Sequence, residues 1–388
     1  MSDWITAKLK EVAKVVTGKT PQTSNSEYYG GDIPFVSPAD LNEGILSETK
    51  TYLTSSGADQ VYRVPKNTVL VSCIGNLGKL AITSKEVCFN QQINGLIFDE
   101  QKIFPKYGFY FAQTLKPQLE KASSSTTLPI INKSRFSDLE IKYPPLAEQR
   151  RIASILDQAD ELRQKRQQAI EKLDQLLQAT FIDMFGDPEQ NPKKWNKVIL
   201  GDICDAKDRV NYGVVQPGND FEGGIPLIRV GDIDGGILSF TSIKTIDPEI
   251  EKDYSRSRLK GNEILVSCVG SIGTIAKVPN KAIGFNIARA ITRVPLQDKR
   301  IINFVAECLK TEAIQNYFKK NTRTVSQPTL NVSFVKETEI IFPNEEKILD
   351  FCKIVDKVEF QKELLQKALV MQESLFQSLQ NQAFSGTL

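Results

Sequence analysis

The chain can be laid over itself. LVSCIG at 70–75 returns as LVSCVG at 265–270, and the matches on either side keep the same order. Trp4 meets Trp195, GDIP (31–34) meets GGIP (223–226), and DLNEGIL (40–46) meets DIDGGIL (232–238). GNLGKLAI (75–82) meets GSIGTIA (270–276), Phe89-Asn90 meets Phe285-Asn286, and LEIKYP (139–144) meets TEIIFP (338–343). The offset drifts from about 191 to about 199 residues, as short loop insertions would make it. The chain is a tandem duplication, so whatever one half folds into, the other must too. Two diverged copies of one module imply two related but different surfaces.

A length of 388 residues is too great for one hydrophobic core and suits two domains with connectors. No apolar run reaches the roughly 18 residues that a membrane span needs. The start, MSDWITAKLKEV, lacks the basic and apolar regions of a signal peptide. The six cysteines show neither CxxC spacing nor disulfide-framework density, so the chain reads as cytoplasmic. Cys73 and Cys268 are repeat equivalents inside apolar runs and are expected to be buried thiols.

Histidine is absent from the sequence. That removes the commonest general base near neutral pH and the commonest zinc ligand, and it excludes Ser-His-Asp and Cys-His catalysis. Net charge is only +2, but its distribution is uneven. Residues 191–344 carry 22 Lys/Arg against 17 Asp/Glu and residues 1–145 carry 16 against 14, while 146–190 and 345–388 are both net acidic. Positive charge sits on the two modules and not on what joins them.

After PPLAEQ, residues Ile152, Ile155, Ala159, Leu162, Arg166, Ala169, Leu173, Leu176 and Thr180 alternate at spacings of three and four. From Leu146 to Phe185 there is no Gly or Pro, and Gly186 and Pro188 then supply a helix stop. The second copy repeats the pattern through Ile348, Phe351, Val355, Val358, Lys362, Leu365, Leu369, Gln372, Phe376, Leu379 and Ala383 to Gly386. Each would form a helix about 60 Å long at 1.5 Å per residue. A seam of that length needs a partner, and the simplest is the other helix, paired antiparallel. The alternative is that each helix packs on its own module.

The modules read mainly as strand. Residues 66–83 form a β-branched run broken by Gly75 and Gly78, and 31–41 reads as strand and turn. Helix is expected at 106–122 and its counterpart 302–320. The fold class is α+β: two similar domains, each a curved, mainly β sheet with a few helices, separated by two long antiparallel coiled-coil helices. The ranges are 1–145, 146–190, 191–344 and 345–388.

Several of these stretches resemble one half of the specificity subunit of type I restriction–modification enzymes. They are GKTPQTSNSEYYGGDIPFVSPADL (18–41), VPKNTVLVSCIGNLGKLAI (64–82) and IINKSRFSDLEIKYPPLAEQRRIASILD (130–157). The second half carries IPLIRVGDIDGGIL (225–238), NEILVSCVGSIGTIA (262–276) and LNVSFVKETEIIFPNEEKILDFCKIVD (330–356), with PPLAEQ decayed to PNEEK. The resemblance covers essentially the whole chain, including the terminal QAFSGTL.

It implies a non-catalytic DNA-recognition subunit. Each target-recognition domain would read one half of a split, asymmetric site on double-stranded DNA, and the helical rod would fix the distance between the halves. The rod would also dock two methyltransferase subunits, to which restriction/translocase subunits are added. The helix residues expected to serve docking are Ile152, Ile155, Leu162, Leu173, Val355, Val358, Leu365 and Leu369. No cofactor is expected in this chain; S-adenosylmethionine and ATP with Mg would belong to partner subunits. The competing readings are a targeting subunit of a methyltransferase-only or type II-like complex, and a coiled-coil scaffold that does not touch DNA.

Three catalytic look-alikes fail on inspection. Gly18-Lys19-Thr20 resembles the end of a phosphate-binding loop, but the upstream glycine position holds Ala13, and Pro21 interrupts the helix that should follow. Asp138, Glu140 and Lys142 resemble part of a nuclease metal site, yet the equivalent of Lys142 is Ile341, and a solvated strand face accounts for them. Tyr143-Pro144-Pro145 lacks the preceding Asp or Asn of an amino-methyltransferase motif; strand stop and helix start explain its prolines.

Base edges are read by Arg, Lys, Gln and Asn, and phosphates by Lys, Arg, Ser, Thr and backbone amides. The candidate DNA-binding residues lie in polar loops: Lys19, Thr20, Gln22 and Tyr28 in 17–28, and Lys207, Arg209, Asn211, Tyr212 and Gln216 in 207–219. Others are Tyr254, Arg256, Arg258 and Lys260, then Arg323, Thr324 and Gln327, whose first-copy partner is the stretch from Ser123 to Thr127. Arg229 and Asp40 lie at strand ends. For any one of them, plain surface exposure is the alternative.

Overall fold

A computed structural model describes residues 4–123, 129–323 and 328–388. The chain forms two compact units, Met1–Arg166 with Ala368–Leu388, and Gln167–Lys367. Each unit holds one copy of the module and a stretch of both long helices.

In the first unit the expected single curved sheet is two sheets. Ala13–Thr17, Ile93–Phe98, Val69–Ser72, Leu80–Thr83 and Ile45–Leu46 lie in that order in one. Thr51–Leu53, Tyr29–Val36, Val87–Phe89 and Arg63–Val64 form the other, and a ribbon pairs Ile5–Lys8 with Glu140–Tyr143. The uninterrupted apolar run at 69–71 explains the division, because a strand covered on both faces has no polar side to alternate. Val69 and Val71 enter the core shared with the helices, and Leu70 enters the core formed with Val36, Val87 and Phe89 of the second sheet.

The second unit repeats this plan. Its larger sheet runs Asn211–Tyr212, Ile291–Pro295, Glu263–Ser267, Ile275–Lys277, and its smaller one Lys244–Ile246, Ile225–Ile228, Asn286–Ile287. Ile264 and Val266 face the helical core while Leu265 faces the other. One sequence match is two residues out of register. Val36 pairs with Phe89, and its equivalent Ile228 pairs with Ile287, so Phe89 corresponds to Ile287 and not to Phe285.

The helical stretches at 106–122 and 302–320 are each two helices. Pro105–Gln113 is followed by Lys116–Ala122, where Pro117 in the first turn forces a restart. Ile302–Lys310 is followed by Glu312–Lys320, with Thr311 extended between them.

The long helices run Leu146–Phe185 and Glu345–Ser385, and each stops at a glycine of positive φ, Gly186 and Gly386. Both expected ways of covering their seams occur. Ile152 and Leu156 lie in the core of the first unit, and Ile348, Phe351 and Val355 in that of the second. The helices also pair antiparallel inside each unit. In the first, Arg151 Nη2 donates to Leu388 O at 2.9 Å, and the Arg163 guanidinium lies 4.4 Å from the Phe376 ring centroid. In the second, Lys362 pairs with Asp174, and Phe181 and Phe185 stand 5.5 and 5.4 Å from Phe351.

Candidate nucleic-acid interface

In each copy, backbone hydrogen bonds bring the loop after the first strand of the larger sheet, the turn before its second strand and the turn after its central strand to one end of the sheet. In the first unit Lys19 N donates to Phe89 O at 3.0 Å, Cys73 N to Gln92 O at 2.8 Å, and Ile131 N to Cys73 O at 3.0 Å. In the second, Val214 N donates to Ile287 O at 2.8 Å, Arg289 N to Val214 O at 2.9 Å, Cys268 N to Ala290 O at 2.7 Å, and Leu330 N to Cys268 O at 2.9 Å. The strips are thus the stretches around 18–22, 90–92, 73–76 and 129–131, and around 213–217, 288–290, 268–272 and 328–330.

This convergence gives Gly18 a structural reason. A Cβ there would stand 2.2 Å from Asn90 O, and one on its equivalent Gly213 would stand 1.7 Å from Ile287 O. The glycine admits a neighbouring backbone, and no helix begins behind Lys19-Thr20.

Lys19 and Gln22 are exposed on this strip, and Thr20 Oγ1 donates to Gln91 Oε1 at 2.5 Å. Tyr28 closes a short 3-10 turn, and the adjoining Tyr29 hydroxyl donates to Pro21 O at 3.0 Å, which closes the loop on itself. Gln216 and Tyr212 are exposed in the second unit, and Arg323 is exposed on a small hairpin. Gln327, Thr324 and the stretch 124–127 lie outside the described residues. Sequence reasoning missed Gln91 and Arg289, exposed residues at the same turn position of the two copies. The shifted Phe-Asn match hid their equivalence.

Three candidates have their donors committed within the chain. Arg229 donates from Nε and Nη2 to Asp232 at 3.1 and 3.0 Å and from Nη2 to Ser242 O at 2.9 Å. Arg258 grips Glu251 through Nε at 3.0 Å and through Nη2, and that hydrogen bonding holds its pKa above the ordinary guanidinium value. Asn211 donates to the carbonyls of Arg209 and Arg256 at 2.8 and 3.3 Å. By contrast, the Arg209 and Arg256 guanidinium groups meet no acceptor among the described residues. Asp40 accepts from Ser37 N at 2.8 Å and from Lys50 N at 3.0 Å, so it closes a turn.

On the helices, Ile152, Val355 and Val358 are buried in the unit cores and are not open to a partner. Ile155, Leu173, Leu365 and Leu369 are half-buried, and Leu162 is exposed. The seam does not face inward throughout, since its Leu162 and Leu176 are exposed; the other apolar helix positions facing solvent, among them Phe360, Leu364, Val370, Met371 and Leu375, lie outside it. Asp138 is bound by Lys10 at 2.7 Å and Lys8 at 3.3 Å, on the ribbon face where Lys8 also stands opposite Glu140. Among the described residues no cluster of His, Cys, Asp and Glu is placed to hold a metal, and no helix is long and apolar enough to cross a membrane.

The duplicated plan is that of a known family. Residues 1–172 and 192–369 each match the type I restriction modification DNA specificity domain. The chain belongs to that family. It is 26% identical to the type I restriction enzyme EcoBI specificity subunit of Escherichia coli, over 99% of this chain and 86% of that one. It is 27% identical to the MjaIX specificity subunit of Methanocaldococcus jannaschii, over 91% of this chain and 86% of that one. The fold is shared with the S subunit of a type I restriction-modification system from M. genitalium, at a TM-score of 0.55 and 18% identity over 99% of this chain and 96% of that one. A chain from a structure of type I R-M complex assembly and conformational transition gives 0.53 and 17%, over 99% and 98%. This specificity subunit thus carries two DNA specificity domains in tandem, and its role is DNA recognition.

Proposed function

We propose that each copy reads one half of an asymmetric, bipartite site on duplex DNA, and that the chain is itself non-catalytic. The observation carrying this reading is that one backbone frame is built twice and dressed with different side chains. The first copy offers Lys19, Thr20, Gln22 and Gln91, and the second offers Gln216, Arg289 and Arg323. Unlike readers on one frame favour unlike half-sites, whereas matching readers would favour a palindrome.

The long helices would set the spacing between the half-sites. Their exposed apolar positions, among them Leu162, Leu176, Phe360, Leu364 and Met371, would dock two methyltransferase subunits, with a restriction subunit completing the complex. S-adenosylmethionine and ATP with Mg would be held by those partners. The complex would act in the cytoplasm.

Methylome sequencing of a host with and without this chain tests the reading. The expected result is one bipartite motif that depends on the chain. Substitution of Gln91 should alter one half only and substitution of Arg289 the other. A change in both halves from either substitution would rule out independent reading.

A further inference from the structure

The second copy contains a buried ionic cluster that the first does without. Arg293 is 0% exposed and donates to Asp208 Oδ1 at 2.6 Å through Nη1, and to Glu263 Oε1 at 3.1 Å through Nε and 3.0 Å through Nη2. Its strand position belongs to Gly95 in the first copy: Arg293 stands opposite Leu265, and Gly95 opposite the equivalent Leu70. Glu263 corresponds to Thr68 on the same register. Asp208 has no counterpart. Ala13 and Cys204 face the equivalent Phe98 and Leu296, while Val16 and Asn211 face Gly95 and Arg293, so the second copy has four extra residues in between. At Gly95 the space is filled by Phe89, Leu70 and Thr68, each within 3.4 Å of where a Cβ would be. The fold therefore forms without the charges.

Buried ion pairs generally add little to stability against an apolar replacement, and their best-attested use is to fix a particular arrangement. What this cluster fixes is the segment 254–262. Arg293 Nη1 donates to Arg256 O at 3.1 Å, joined there by Asn211 Nδ2. Glu263 accepts from the backbone N–H groups of Lys260, Gly261 and Asn262 at 2.6, 2.7 and 2.9 Å, and Lys260 Nζ reaches Asp208 at 2.7 Å. From the other side, buried Asn286 donates to Tyr254 O and to Glu251 Oε1, both at 3.0 Å, and its Oδ1 accepts from Ser257 at 2.7 Å. Of the three cationic side chains of the segment, Arg258 is bound to Glu251 and Lys260 to Asp208, whereas the Arg256 guanidinium is exposed and meets no acceptor among the described residues.

We infer that Arg256 is a base-reading residue of the second half-site, and that Arg293, Asp208 and Glu263 are positioning residues that hold its backbone in place. The inference rests on the half-site reading above. A guanidinium that is free of internal partners but carried on a fixed backbone suits the O6/N7 edge of guanine in the major groove, where two parallel donors are needed. Flexible mounting would give a phosphate contact without sequence preference.

The test uses the chain assembled with its methyltransferase partners and a randomised duplex library as probe. Arg256→Ala should abolish a guanine preference at one position of the second half-site, by about 5- to 150-fold, and leave the first half-site unchanged. Arg256→Gln should move that position towards adenine. The combined Asp208→Asn, Glu263→Gln and Arg293→Met variant removes the charges at near-constant volume; it should fold and relax the same position. Sequence enrichment by the parent with no change in Arg256→Ala would overturn the inference and leave the half-site reading standing. So would a uniform loss of affinity for all sequences. A charge-free variant that is less stable yet keeps the guanine preference would remove the positioning role. A parent complex that enriches no sequence would defeat both readings.

Discussion

Gln149 and Ile348 fill the same place at the start of the two long helices, one with three hydrogen bonds and the other with hydrocarbon. Both stand five residues after a strand-ending proline, Pro144 or Pro343, and both are buried. Gln149 Oε1 accepts from Phe104 N at 2.8 Å, and its Nε2 donates to Lys102 O and Pro144 O, each at 2.8 Å. One amide thus ties strand end, helix start and the neighbouring helix together in the first copy. Ile348 joins Phe351 and Val355 in an apolar core. The decay of PPLAEQ to PNEEK is a change of fastening within one architecture.

Gln149→Leu should therefore be badly tolerated even though its counterpart is aliphatic. It takes the partner from the part-buried Phe104 N–H and Lys102 carbonyl and from the buried Pro144 carbonyl, at about 1–3 kcal/mol for a group that stays buried without a partner. Thermal denaturation should show a clear loss in midpoint. Amide exchange should locate it in the first unit, near Phe104. Ile348→Leu conserves volume and should cost less than about 1.5 kcal/mol.

Acid should loosen the second unit through Asp208. Burial tends to raise its carboxyl pKa, but hydrogen bonds from Arg293 and Lys260 outweigh that and hold it below the ordinary 3.8. The folded chain thus binds this proton more weakly than the unfolded chain. The stabilisation is complete above the ordinary value and disappears as pH falls through the lower folded one. Asp208→Asn should be less stable at pH 7, since it leaves a buried guanidinium short of charge, but should lose less between pH 5 and pH 3 than the parent. Amide exchange in the strand Glu263–Ser267 across that range reads the difference. Parallel acid profiles for parent and variant would remove Asp208 as the cause.

The thiols should be inert in the native chain. All six cysteines are free and buried. Burial pushes Cys73, Cys204 and Cys308 up to about 12 and Cys88 to about 11, and it raises Cys268 and Cys352 as well. The reactive thiolate is therefore scarce at pH 8. An aromatic disulfide reagent should label the native chain slowly and all six thiols quickly in guanidinium chloride. Fast native labelling of Cys73 or Cys268 would mean that the strips bonded to their backbones open readily.

The duplication, both long helices and the buried equivalents Cys73 and Cys268 were legible because each rests on a periodicity or on an apolar run. The second sheet was not, since a strand covered on both faces announces burial without naming its neighbours. The helix breaks at Pro117 and Thr311 lay within otherwise continuous helical patterns. Residue type pointed to Lys19, Gln216 and Arg256, all three exposed in the structure, but type alone cannot separate an arginine with a free guanidinium from one bound within the chain. Arg229 and Arg258 look like readers until Asp232 and Glu251 are placed beside them. Arg293 was invisible as a structural residue because an arginine within the strand sequence ITRVP (291–295) gives no sign of its buried partners. Asp208 reaches it only through a four-residue insertion.

The helix spacing can be tested with matched deletions. Because the two helices pair antiparallel within each unit, a cut in one alone would leave Phe376 or Phe351 facing the wrong partners. Removing seven residues from each, 167–173 and 365–371, preserves the apolar period on both sides. It shortens each helix by about 10 Å, close to three base-pair steps of about 3.4 Å. If the helices set the separation, methylation mapping of the double-deletion chain should return both half-site sequences unchanged with about three fewer unread positions between them. A four-residue cut removes about 6 Å and breaks the period, so it should fold less well and is the poorer instrument. An active double-deletion chain whose half-sites keep their original spacing would show that something other than helix length measures the gap.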